Sequence, residues 1–224
     1  FLQCVLNGAD LAGCNVARTS FESVDFGPAK LAAFDLRAAT LIRCGFIGAD
    51  LAGMDLRGVP LEECNFRLAN LTRANLSECK LARANFDAAD LTDARLVKAQ
   101  AKGGYFGKAT LHRTRLDGAN LKNAVFLEAD LADAKLNGAS LDSAVLSKMR
   151  AHGSDFRDAD LAHADLSFAD VTKARFGGAN LRFAILDGVR DDGAEWKTAK
   201  TGARDVNYDR LEAEAWTPPK RSPS

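Results

Sequence analysis

Five consecutive pentapeptides decide the reading: Ala119-Asn120-Leu121-Lys122-Asn123, Ala124-Val125-Phe126-Leu127-Glu128, Ala129-Asp130-Leu131-Ala132-Asp133, Ala134-Lys135-Leu136-Asn137-Gly138 and Ala139-Ser140-Leu141-Asp142-Ser143. A large apolar residue stands at every fifth position, and two places before it stands a small one. The same frame runs back through Leu111, Leu91, Leu71, Leu51 and Leu31 to Leu6, and forward through Leu161 and Leu181 to Leu186. Between Phe1 and Leu186 only Ala101 and Ala151 replace a larger apolar residue at these centres, and the frame never slips.

A period of five suits neither ordinary element. On an α-helix five residues advance about 500°, so each repeat drifts and no stripe forms. In a flat strand an odd repeat would send alternate apolar residues to opposite faces. The chain must instead turn by a fixed angle at every repeat, which winds it around a core. Phe26, Phe46, Phe66, Phe86, Phe106 and Phe126 recur every 20 residues, and Phe156, Phe176 and Trp196 repeat that interval in another column. Rings so spaced stack if four pentapeptides close one square turn. Rungs about 4.8 Å apart then give an all-β rod of about nine coils, roughly 45 Å long.

The stretches Ala9-Asp10-Leu11, Ala49-Asp50-Leu51, Ala69-Asn70-Leu71, Ala129-Asp130-Leu131 and Ala159-Asp160-Leu161 resemble the A-[D/N]-L-x-x pattern of the pentapeptide-repeat family. The resemblance covers residues 1–189. It implies a right-handed quadrilateral β-helix and is much less specific for function, since the motif residues build the core. The expected organisation is a β-helix over 1–199, a C-terminal cap over 200–217 with a short helix near Asn207–Trp216, and a flexible tail over 218–224. Phe1 stands where a Met would open a chain and is already in frame, which suggests a repeat domain of a larger protein.

Departures from the pattern carry information. Met149 and Ala151 exchange large and small volumes, while Phe34, Met54 and Val59 overfill the small position. Around Ala101, Gly103 and Gly104 the pattern weakens, and a bulge or bend is expected.

Composition narrows the function. In 224 residues, 30 Lys+Arg balance 30 Asp+Glu, which removes the signature of a general nucleic-acid binder. No apolar run approaches the roughly 20 residues of a membrane span, and no signal peptide opens the chain, so a cytoplasmic location is expected. Cys4, Cys14, Cys44, Cys64 and Cys79 all fall at the small inward position and read as reduced core side chains. His112, His152 and His163 do not converge. No nucleophile triad, metal spacing or phosphate loop appears, so no catalytic residue, metal or cofactor is expected.

The outward positions sort into four faces, numbered from the one centred on Phe21. Over residues 1–198 they carry 6, 3, 6 and 10 Lys/Arg against 5, 5, 8 and 7 Asp/Glu, so no face is overwhelmingly acidic. Asp10, Asp50, Asp90, Asp130 and Asp170 recur on the third face, and Arg95, Arg115 and Lys135 form a basic column on the fourth. The second face differs, presenting Tyr105, Val125 and Val145 in one column with Leu127, Phe168 and Ile185 nearby. These six are the candidate protein interface, for a protein partner or a homodimer.

The expected function is a non-enzymatic interaction or scaffold module. The family resemblance adds two specific options: a docking element of a secretion-system or effector protein, and a duplex-DNA mimic that occupies a type II topoisomerase (gyrase) and confers quinolone resistance. The balanced faces disfavour the second.

Overall fold

The structure, a computed structural model, describes residues 1–11, 14, 16–29, 31 and 35–200. Its organising feature is a parallel bridge register of 20 residues. It runs from Leu2↔Glu22 to Asn180↔Lys200, and from Gly45 onward no rung is missing. One coil therefore takes four pentapeptides, each ending in a turn. Among the described residues only Ser20–Glu22 (β1) and Thr40–Ile42 (β2) extend into parallel strands, and the one helical piece is a 3-10 turn at Leu36–Ala38.

One repeat shows why the motif is obligatory, because all five of its backbone N–H groups are accounted for. Ala69 donates to Phe66 O at 3.0 Å, closing the turn between repeats. Asn70 donates to Ala49 O in the preceding coil at 2.9 Å, and Leu71 and Arg73 donate to Asp90 O and Thr92 O in the following coil at 2.7 and 2.9 Å. Only the Thr72 N–H has no backbone acceptor. The Asn70 side chain supplies one, Oδ1 accepting it at 3.2 Å. Asn65, Asn75, Asn85 and Asp90 do the same for the residue two places on. The acidic or amide residue of the motif is thus a turn acceptor.

From Gly48 to Thr198 the last residue of each turn holds a positive φ, for instance 58° at Arg73 and 67° at Gly53, with an i→i+3 hydrogen bond across the turn. This combination marks a type II turn. A residue with a side chain pays about 1 kcal/mol or more to stand there; its cross-coil N–H bond holds it in place.

Inside, the repeat centres from Phe21 to Leu181 are buried, as are the small residues two places earlier from Val59 to Ala184. The Phe column stacks from Phe26 to Phe126 with centroids 4.7–5.1 Å apart and planes within 8°. Phe156, Phe176 and Trp196 stack likewise, at 5.0 and 4.1 Å. The ring spacing is the strand spacing. Met149 and Ala151 are both fully buried, so the volume exchange preserves packing. Thr114 and Ser154 occupy the small position because each hydroxyl reaches a carbonyl of the preceding coil, Leu91 O and Leu131 O, at 2.7 Å.

Two expectations need correction. The frame passes through Ala101–Gly104 without a bulge: Lys80↔Gln100 and Asn85↔Tyr105 keep register, and Gly104 N–H closes its turn on Ala101 O at 3.0 Å. Gly104 stands at the small inward position, where a Cβ would lie 3.0 Å from both Ala101 O and the Phe106 ring. Glycine there makes room for a neighbour and leaves the coil unbent. Nor are all five cysteines interior. Cys44, Cys64 and Cys79 are buried, but Cys4 is half-buried and Cys14 exposed, in a coil covered on one side only among the described residues. Phe34 and the cap and tail expected beyond Lys200 lie outside the described residues.

Candidate interaction face

Each face presents three outward columns: the bridge residue before each centre and the two turn residues after it. Along several columns, charges of opposite sign sit one coil apart and pair. Arg113 binds Asp93 at 2.7 Å, Arg150 binds Asp130 at 2.7 Å, Lys122 binds Asp142 at 2.5 Å, and Arg83 pairs with Glu63. Asp155 is nearly inaccessible: burial raises its pKa, and hydrogen bonds from Arg157 with the charge of Arg175 more than offset this. Hydrogen bonding to Arg57 brings Asp55 down to about 2, and Asp93 is lowered by Arg113. Carboxyls with depressed native pKa stabilise the fold above their unfolded value near 4, and that contribution is lost as pH falls toward 2. Exposed pairs contribute little individually, so the effect comes from their number. The thermal midpoint is expected to drop between about pH 4 and pH 2; a flat midpoint across that window would contradict this account of the columns.

The acidic series on the third face has the turn role described above. Asp50, Asp90, Asp130 and Asp170 each accept the N–H two residues on, at 2.9–3.2 Å. In the sequence these residues read as an acidic series on the third face; the Asn or Asp that recurs before the repeat centres is the signal for their local role.

Little among the described residues favours chemistry. Burial pushes the Cys64 and Cys79 thiols up to about 12, far from a reactive thiolate. No group of three or more His, Cys, Asp or Glu among the described residues could hold a metal. A shallow hollow of about 340 Å³ is lined by Arg37, Arg57, Gly58, Ser77 and Glu78, with both guanidiniums engaged by Asp35 and Asp55. No helix among the described residues is long and apolar enough to cross a membrane.

The second face lies directly over the Phe column. Tyr105↔Val125 and Val125↔Val145 are consecutive bridges, so these three do form one strip. Tyr105 is 38% exposed, and its phenol oxygen lies 2.5 Å from where a Cβ on Gly107 would stand. The ring therefore crosses the face onto a glycine. Val125, Leu127 and Val145 are half-buried. Asp165 stands between Val145 and Ile185 in the same column and accepts Ser167 N–H at 2.9 Å. Phe168 and Ile185 consequently form a second cluster, separated from the first by a carboxylate. Phe168 is 58% exposed at φ 58°, with its ring over Gly188.

Phe183 was not among the candidates because it belongs to the first face. It lies at the corner beside Ile185, 49% exposed at φ 61°, stacked 5.2 Å from His163 and under Arg182. Bulky apolar residues in the left-handed region are unusual.

Comparison with known proteins agrees with this geometry. A family model described as a pentapeptide repeat region matches residues 39–116 and 69–146, and one described as pentapeptide repeats (8 copies) matches 139–178. The chain belongs to the pentapeptide repeat family. Pentapeptide repeat proteins form right-handed quadrilateral β-helices, consistent with the 20-residue register. Among solved structures, the chain is similar to HetL, a pentapeptide repeat protein involved in heterocyst differentiation regulation from the cyanobacterium Nostoc. That likeness is 26% identity over 83% of this chain and 88% of HetL, with a TM-score of 0.42. A pentapeptide repeat protein of the Arabidopsis thaliana thylakoid lumen is 25% identical over 50% of this chain and 72% of its own, with a TM-score of 0.35. Trypsin-treated QnrB1, a plasmid-mediated fluoroquinolone resistance protein, is 20% identical over 94% and 93%, with a TM-score of 0.41. No curated protein matches in sequence.

Proposed function

We propose that this pentapeptide repeat chain is a non-enzymatic scaffold that binds protein through its second face. The observation that supports this is the contrast between faces. Elsewhere cations and carboxylates pair across coils, whereas the strip from Tyr105 to Val145, with Gly107, Leu127 and Ser147 beside it, carries no charge. A flat, uncharged strip on a charged rod is the composition of an interface core. Duplex-DNA mimicry asks for a dense array of uncompensated negative charge. Here many of the carboxylates accept turn N–H groups or pair with Arg and Lys, which favours the scaffold reading over the mimic.

Val125→Arg with Val145→Arg is the test. The rod already stacks Arg95, Arg115 and Lys135 on consecutive coils, so two more outward cations should leave the fold intact. The expected outcome is an unchanged thermal midpoint with loss of the proteins retained by the immobilised wild-type chain. Unchanged retention and unchanged mass by light scattering would refute the second face as the binding surface.

A further inference from the structure

Rotating the second face half a turn, about an axis that lies in the face and crosses the rod, lays every outward column onto itself with the coil order reversed. We infer that a second copy of this chain packs antiparallel on this face, with that twofold axis midway between the coils of Val125 and Val145. The inference rests on the reading of the second face as an interaction surface and names its occupant.

The complementarity is specific to that axis. In the bridge column Val125 meets the partner's Val145, and Tyr105 meets the partner's Asp165, whose carboxylate can accept the phenol O–H. In the corner column Glu128 meets the partner's Lys148. Lys108 meets the partner's Phe168, a cation against an exposed ring. The column between them is uncharged from Gly107 to Ser167. Twofold symmetry makes each pairing occur twice. Moving the axis onto the coil of Val125 would instead set Lys108 against the partner's Lys148 and Glu128 against its own copy.

A second observation is independent of this geometry. Lys108, Glu128 and Lys148 succeed one another along one corner, yet none of them forms an ion pair with another described residue. On other corners the same relation gives the Arg83–Glu63 and Arg113–Asp93 pairs. The charges that border the apolar strip are thus left for another molecule, as are Glu78 and Lys98 on a corner of the fourth face. The contact spans four coils, about 20 Å along the rod. That lies at the small end of specific interfaces.

The experiment is sedimentation equilibrium on the full chain, on Glu128→Lys, on Lys148→Glu and on their equimolar mixture. Each variant alone places like charges at both symmetric corner contacts and should self-associate at least about tenfold more weakly than wild type. In the mixture every opposed pair is again of opposite sign, so a heterodimer of near wild-type affinity should form. That rescue acts between molecules, so repaired folding of one variant cannot produce it; thermal midpoints of both variants check that each is folded. A monomeric wild type at millimolar concentration, variants that associate like wild type, or a mixture that stays monomeric would each overturn the twofold pairing. If the wild type is monomeric while the Val125/Val145 double substitution still abolishes retention of other proteins, self-pairing fails and the second face stands. If that substitution also has no effect, both readings fail.

Discussion

Phe66→Ala should lower the unfolding free energy by about 3–5 kcal/mol, the range for truncating a buried aromatic. Phe66 is 1% exposed and lies between Phe46 at 5.1 Å and Phe86 at 5.0 Å, so its loss removes two stacking contacts and opens a cavity on the rod axis. The hole has little means of collapsing. Each coil above and below is held at the strand spacing by its own hydrogen bonds, such as Phe66 N–H to Asn85 O and Phe46 N–H to Asn65 O. A stacked solenoid depends on neighbouring coils for its interfaces, so the defect should weaken both interfaces at once. Urea unfolding of purified protein reads it directly. A midpoint equal to wild type would mean that the Phe column does not carry the core.

Gly104→Val should cost about 1–3 kcal/mol, from overpacking a site with no room. One obstacle is a backbone carbonyl, Ala101 O, fixed by the Gly104 N–H bond that closes the turn; the other is the Phe106 ring, stacked between Phe86 and Phe126. Neither can yield without moving a coil. The adjacent Gly103→Ala is the informative control. Gly103 holds φ 66°, and a Cβ there meets only Arg83 Cγ at an ordinary 3.6 Å. Its cost should be about 1 kcal/mol, from the left-handed backbone alone. Thermal unfolding of the two variants separates contact from conformation. Equal losses would contradict the steric account of Gly104.

The candidate face shows where a one-dimensional reading stops. The strip of Tyr105, Val125 and Val145 was legible because residues 20 apart must be neighbours once the coil has four repeats. Its division by Asp165 was equally available in the numbering, but the weight of that residue depends on where its carboxylate goes. Phe183 was hidden by assignment to a face, since a corner residue projects between two faces. The unpaired state of Lys108, Glu128 and Lys148 also has no trace in the sequence, where the column looks like any other alternating one.

The order of residues alone dictates the winding, the identity of the inward residues and the 20-residue register. A period of five leaves the chain one way to keep its apolar residues on one side, and every repeat votes for the same frame. It also determined the charge balance of the faces. Only the tertiary structure decided what each polar group does. The Asp of the motif turns from a surface charge into a turn acceptor, because its carboxylate lies within reach of an N–H that the neighbouring coils leave unbonded. Gly104 turns from a suspected bulge into a spacer, because Phe106 occupies the volume its side chain would need. Periodicity is a property of the chain and can be read along it, whereas pairing and clearance depend on ångström distances between coils that exist only after the rod has wound.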